Sequence, residues 1–565
     1  MRSIMMIPTR EGAGLDTTVL GMARAISLQG ARVCTFSTVV ADNGHHSQLP
    51  SLAEVPHFDG IALNQVQKLF SSGKIDTIVE TTLAQIKSLE DQYDVVVIQG
   101  IKRDQARIYA TRLNAAIFRA LHAEVILITT PADDQEFSME EQVAIAARPF
   151  NNGDYSGVIG CIINKINEDT EDTPFPFTHE STDLPSKREL KHFAKQLQLP
   201  IIAGIAWKPD LCAPRPVDMA QFLQAKPLMN QAPHPPQRRI RRVLLCTSRL
   251  ENIVDQLQPD TFVLADSDRH DVILTICLNT IGAGRPQLAG LLLAGNANTH
   301  PTVQAHLQQA YEAGLPIYET NKGADQAYLK LTQMEQDVPL DDNERILAIS
   351  DFIAESINPQ WLSEWISSET ETFLTPVSFK YHLMEKAKLC KKTIVLPEGN
   401  EPRTLEAAVH CAKKGIANLV LLGDKEQIKA NAHRLGLTLE HHIEIIDPAS
   451  LIDQYIAPLL ALRKHKGLSK PIAREQLHDP VVLGTMMLEQ GDVDGLVSGA
   501  EHTTAHTIRP ALQLIKTAYD RQLVSSVFFM CSIIFSRSLK YASFVYCLFK
   551  IQYFFFLSPT QPKQF

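Results

Sequence analysis

The residues best suited to chemistry lie between positions 481 and 530, VVLGTMMLEQGDVDGLVSGAEHTTAHTIRPALQLIKTAYDRQLVSSVFFM. An apolar strand-like run, Gly495-Leu496-Val497, leads into a Ser498-Gly499 turn, then a segment holding Thr503 and Thr504, then Arg509. Small residues after a strand, hydroxyls, and an arginine at a helix start are what an anionic ligand asks for. Pro510 disfavours helical geometry at the residue before it and suits the first helical position, which predicts Arg509 at the helix start. Ile508, Leu512 and Ile515 then face the core, and Gln513 and Lys516 face outward. Ser498, Gly499, Thr503 and Thr504 are candidate hydroxyl and backbone N–H donors, although Thr503 or Thr504 reads equally as a helix N-cap. A second cationic cluster is Arg463 with Lys464 and Lys466, for which a solvated helix face is the competing reading. Arg403 stands at a strand-to-helix turn, where an ion pair to Glu398 or Glu401 competes with a role in the site. His502 and His506 are four apart but lack the glutamate of H-E-x-x-H, so no metal site is expected.

A third chemical signal opens the chain. The apolar run at 3–7 is followed by PTREGAGLDTT, with Gly12, Gly14 and Thr17, in the strand–glycine loop–helix layout of a phosphate loop. Leu15 and Asp16 stand where that pattern places lysine and Ser/Thr, so altered nucleotide chemistry is expected, with Thr17 and Thr18 left to cap the helix.

The elements that must position these groups alternate between strands and helices. Buried runs at 94–100, 123–130 and 157–165 predict an α/β, doubly wound parallel sheet over the first 230 residues, with a Glu/Asp/Thr/Pro-rich insertion at 167–187. Asp94 reads as a strand-entry residue, and Asn164-Lys165 as a weak match to a base-recognition pair. Residues 231–242 read as a solvated linker with prolines and four arginines. A small α/β unit follows at 243–345, a helical connector at 346–376, and a further α/β unit at 377–530.

A chain of 565 residues is too long for one core. Its net charge of −9 leaves no basic excess for nucleic acid. Nine cysteines without a C-x-x-C, and no signal peptide, point to a reduced, cytoplasmic chain.

Four ordered segments carry a family resemblance: LPEGNEPRT at 396–404, ALRKHKG at 461–467, VDGLVSGAEHTTAHTIRPALQLIKTA at 493–518 and SSVFFM at 525–530. They resemble the phosphate acetyl/butyryl transferase family. Residues 1–230 resemble its dethiobiotin-synthetase-like P-loop domain. Residues 243–345 resemble a DRTGG domain, with His270-Asp271 replacing part of the motif and any ligand role for Asp268 and Arg269 weighed against an ion pair. The whole resembles the long, three-domain bacterial phosphate acetyltransferases, which interconvert acetyl-CoA plus phosphate with acetyl phosphate plus CoA. The resemblance implies substrate binding by Arg509, CoA binding by Arg463, no separate cofactor and homo-oligomers. It places the catalytic serine and aspartate in a second lobe after residue 530. The aromatic run 531–565, without Asp or Glu, departs from the family and reads as an aberrant tail in preference to a membrane segment, because Lys550 and Gln552 interrupt it. On that basis impaired turnover is expected. The rival readings are a regulatory or oligomerising fragment that binds a nucleotide or metabolite, and an ATP-dependent ligase of the dethiobiotin-synthetase type.

Overall fold

The computed structural model describes residues 1–40, 55–102, 109–131, 138–152, 155–166, 193, 199–229, 238–282, 287–295, 300–334, 338–339, 341–368, 375–439 and 442–516. The 167–187 insertion and the 531–565 tail lie outside them. The chain divides between residues 371 and 372 into two bodies.

In the first body, β1 (Arg2–Pro8), β2 (Val33–Val40), β3 (His57–Ala62), β4 (Val95–Gln99) and β5 (Glu124–Thr129) are short apolar runs. After a small hairpin of β6 (Asn151–Asn152) and β7 (Tyr155–Ser156) come β8 (Val158–Ile166) and β9 (Ile201–Ala206). The seven-stranded sheet runs β3-β2-β4-β1-β5-β8-β9, and all its pairs are parallel. Helices cover both faces, which is why β4 can be buried at every position. β1 sits where the order reverses, so the glycine loop after it opens at a topological switch point. Asp94 forms an ion pair with Arg32 at 2.7 Å at the entry to β4.

The helices Asn343–Ser356 and Pro359–Ser367 are more than a connector. Ile346, Ile349, Ile353, Leu362 and Trp365 share one core with β1, β4 and the helix Leu15–Leu28. Gly21 makes that packing possible: a Cβ there would lie 2.2 Å from Ile353 Cγ2. Trp365 also donates its indole N–H to Glu124 at 2.9 Å, and Arg2 lies 4.0 Å over the Trp365 ring.

A second sheet in this body runs β10-β14-β13-β12-β11, from β10 (Lys226–Pro227), β11 (Arg242–Leu245), β12 (Thr261–Asp266), β13 (Gly290–Ala294) and β14 (Ile317–Thr320). Its only antiparallel pair among the described residues is β10 with β14. Strand β10 and the helix Pro216–Leu223, whose Met219 and Leu223 enter this sheet's core, both precede the expected boundary at 243. Of the four arginines expected to be solvated, Arg242 is exposed and the other three are engaged. Arg238 donates to the Leu288 carbonyl, Arg239 pairs with the buried Asp342, and Arg241 pairs with Asp210 at 3.1 Å. Arg269 is structural: it pairs with Asp271 at 3.0 Å and donates to the carbonyls of Cys246 and Ser248.

The second body opens with the helix Pro376–Cys390 and a four-stranded parallel sheet, ordered β17-β16-β15-β18. Its strands are β15 (Thr393–Leu396), β16 (Asn418–Leu422), β17 (Ile443–Ile446) and β18 (Gly495–Leu496). The helices Pro448–Leu462, Lys470–Leu477 and Pro480–Gln490 pack over Val395, Val420 and Leu422.

Candidate functional site

β15 and β18 run side by side, so the chain leaves both at the same edge of the sheet. The loop after β18 leads into the helix Thr504–Leu514. A cavity of about 230 Å³ lies here, lined by Ser498, Gly499, His502, Thr503, Thr504, Thr507 and Ile508. Four of the predicted binding residues therefore meet in one wall. Ser498 is buried, and its hydroxyl has no hydrogen-bond partner among the described residues. A buried hydroxyl without a partner is rare in folded proteins and marks a place for a ligand or a water.

Thr503 resolves one open alternative. It is the N-cap of the helix, accepting from the His506 N–H at 3.3 Å. Its own hydroxyl proton remains available to the cavity. Gly499 does not serve as expected. Its N–H, with those of Ala500, Glu501 and His502, donates to the carboxylate of Glu398 at 2.8–3.2 Å. Burial works against ionising Glu398, but these four N–H groups outweigh it and hold the carboxyl below the ordinary carboxylate range. Sequence reasoning weighed Glu398 only as a partner for Arg403. Contact across 101 positions leaves no local signal.

Arg403 takes the ion-pair alternative in part. Its guanidinium meets Glu401 at 2.5 Å and also donates to the Ala500 carbonyl at 2.7 Å, so it grips the same loop. Burial opposes the ionisation of Glu401, yet Arg403 and the Thr404 N–H lower its pKa.

Arg509 is not at a helix start. It is the sixth residue of the helix Thr504–Leu514, with Pro510 inside it, and its side chain is exposed. The buried stripe of this helix is Pro510 and Leu514; Leu512, expected inside, is 48% exposed. Arg463 caps the helix Pro448–Leu462, half-buried, and Lys464 and Lys466 stand exposed in the turn that follows. Neither Arg463 nor Arg509 lines the cavity, and neither makes a side-chain hydrogen bond or ion pair among the described residues. His506 meets Asp479 at 2.5 Å, and its ring lies 4.5 Å from that of His502. No cluster of three or more His, Cys, Asp or Glu residues arranged for a metal occurs among the described residues.

The glycine loop of the first body is built but altered. Gly12 and Gly14 have φ of +76° and +77°. Gly14 itself is the N-cap, and Thr17 and Thr18 do not cap; their hydroxyls donate back to the Gly14 carbonyl at 3.1 and 2.6 Å. Asp16 accepts from Gln99 at 2.5 Å and pairs with Lys102 at 2.7 Å. Asn164 is tied to this loop, donating to the Ala13 carbonyl at 3.0 Å, and Lys165 lies 5.1 Å over the Trp207 ring.

A parallel α/β lobe with a hydroxyl-lined pocket is matched by the "phosphate acetyl/butaryl transferase" family model over residues 378–545, which marks the chain as a transferase of the acyltransferase class. An AAA domain model matches 2–215 and a DRTGG domain model 218–334. Phosphate acetyltransferase of Salmonella typhimurium is 36% identical over 544 residues, covering 94% of this chain and 76% of that protein. The Nitrosomonas europaea phosphate acetyltransferase is 37% identical over 537 residues, covering 94% and 75%. The chain thus spans about three quarters of the length of these relatives. The solved EutD phosphotransacetylase from Staphylococcus aureus is 36% identical over 27% of this chain and 47% of that one, with a TM-score of 0.25. The chain belongs to the phosphate acetyltransferase family, in its three-domain form. This membership does not favour the fragment and ligase readings. No helix among the described residues is long and apolar enough to cross a membrane.

Proposed function

We propose that this chain interconverts acetyl-CoA plus phosphate with acetyl phosphate plus CoA, and that the pocket at 498–508 receives the phosphate end. The observation that carries the proposal is the buried, unpartnered hydroxyl of Ser498, set in one wall with Thr503, Thr504 and Thr507 at a helix N-terminus. Hydroxyl donors and the first turn of a helix suit an oxyanion. In the reaction a phosphate oxygen attacks the acyl carbon of acetyl-CoA, a tetrahedral oxyanion forms, and the CoA thiolate leaves. The guanidinium groups of Arg509 and Arg463, without side-chain partners among the described residues, supply countercharge. Arg509 serves the phosphate end, and Arg463 with Lys464 and Lys466 serves the phosphates of CoA. No described residue is assigned to the thiol or to the tetrahedral oxyanion. We place the chain in the cytoplasm as a homo-oligomer.

The full chain is titrated with phosphate and acetyl phosphate by calorimetry, and thiol release from acetyl-CoA is followed with and without phosphate. Ser498→Ala removes a hydrogen bond to a charged ligand and should weaken binding about tenfold. Phosphate-dependent thiol release supports the proposal, and binding without it would keep only the assignment of the pocket. Absence of both binding and phosphate-dependent thiol release overturns the proposal.

A further inference from the structure

We infer that Glu398 is the positioning residue of this acyl-transfer site: its carboxylate is an internal anion that fills the amide nest of residues 499–502 and so holds the loop that walls the pocket. The inference rests on reading that pocket as the phosphate site. Glu398 lies two residues beyond β15, and Val497 is still paired to that strand, its N–H donating to the Val395 carbonyl at 3.0 Å. The two strand ends therefore leave the sheet together, and Glu398 needs only to turn across to the neighbouring loop. Gly399 permits the turn, because a Cβ there would lie 2.6 Å from the Leu422 carbonyl oxygen. On the facing loop Gly499 has φ +122°, a conformation that L side chains rarely adopt.

The carboxylate is used on both oxygens. Oε1 accepts from Gly499, Glu501 and His502 at 3.2, 2.8 and 2.9 Å, and Oε2 from Gly499 and Ala500 at 3.0 and 2.9 Å. Successive backbone N–H groups converging on one anion form the concavity with which proteins hold phosphates. Here the chain supplies the anion itself, with Glu398 only 5% exposed, so these amides are closed to a ligand. Two of the pocket's hydroxyls stand at the two ends of the clamped loop, Ser498 before it and Thr503 after it. Loss of the carboxylate would release four N–H groups at once and unfasten both hydroxyls from their common wall.

The test measures acetyl phosphate affinity of the full chain for wild type, Glu398→Ala, Glu398→Gln, Gly499→Ala and Ser498→Ala, with and without formate. Glu398→Ala should lose about tenfold or more in affinity. Formate should recover part of it by refilling the nest, and chloride at equal ionic strength should not. Gly499→Ala should show the loss without the recovery. A folded Glu398→Ala chain that binds as wild type, or whose loss formate does not repair, overturns the inference. If Glu398→Ala does not fold, Glu398→Gln decides: faster amide exchange at 499–502 with reduced affinity supports it, and unchanged affinity overturns it. Ser498→Ala with wild-type affinity would instead overturn the pocket reading on which it rests.

Discussion

Glu398→Gln keeps the shape of the side chain but removes its charge and one of its two acceptors. If the remaining oxygen takes the Oε1 position, it still meets Glu501 and His502 and, at 3.2 Å, Gly499, while the new NH2 faces the N–H of Ala500, where a 2.9 Å bond existed. A buried N–H left unpaired costs about 1–3 kcal/mol, and turning two charge-assisted bonds into neutral ones costs about 1 kcal/mol each. The local penalty is therefore at least about 3 kcal/mol, or roughly a hundredfold or more in the equilibrium for loop opening. Hydrogen exchange of the full chain at neutral pH reads this directly. Amides 499–502 should exchange roughly a hundredfold faster in the variant, while the helix Pro480–Gln490 keeps its protection. A change below about threefold would refute the clamp, since that corresponds to less than about 0.7 kcal/mol. So would an equal acceleration throughout the second body, which would mark Glu398 as a general stabiliser.

Three further outcomes follow from the same geometry. Glu398 has a lowered pKa in the fold, so its stabilisation is complete above the unfolded carboxylate value of about 4.3 and disappears as pH falls through the folded value; by scanning calorimetry, the gap in Tm between wild type and Glu398→Gln should be widest at pH 7 and close as the solution is acidified. Gly14→Ala places a Cβ 2.3 Å from Asn164 Nδ2 at a left-handed φ, which should cost about 3 kcal/mol. All three tryptophans, Trp207, Trp361 and Trp365, lie in the first body, so fluorescence melts should report that loss directly, and an unchanged melt would count against the contact. Asp342→Ala removes the partner of Arg239 and the N-cap of the helix Asn343–Ser356, and should lower the same transition by about 4 kcal/mol; a loss under about 1 kcal/mol would place the pair among weak surface contacts.

The extent to which this site could be read from sequence depended on distance along the chain. Ser498, Thr503 and Thr504 were legible because a strand, a small-residue turn and a helix cap follow one another locally. The place of Arg509 was not, because the rule that proline begins helices competes with a cap at Thr503, six residues before Arg509. Thr503 starts the helix, Pro510 forfeits one backbone bond to the residue four before it, and its burial with Leu514 offsets that loss. The same shift in register turns Leu512 outward. The segment between 343 and 367 was legible as helical, but nothing local says which sheet it will cover; the close approach of Ile353 to Gly21 exists only in the folded chain. Glu398 needed both strands to be paired before its role existed.

The two loops that look built for anions differ in what they leave open. At the first, Asp16 places a carboxylate in the opening turn of the helix Leu15–Leu28, and Lys102 and Gln99 satisfy it from the side. That acid already engages the helix dipole and the Lys102 cation, and Leu15 supplies no further cation. At the second, Glu398 also brings an internal carboxylate, but four backbone N–H groups neutralise it away from the cavity, and the hydroxyls of Ser498 and Thr503 stay on the cavity side. The first carboxylate stands in the opening turn of the helix itself, and the second is bound by the backbone of a neighbouring loop. The deciding difference is that in the second loop the donors filled by the acid and the donors facing the cavity are separate groups.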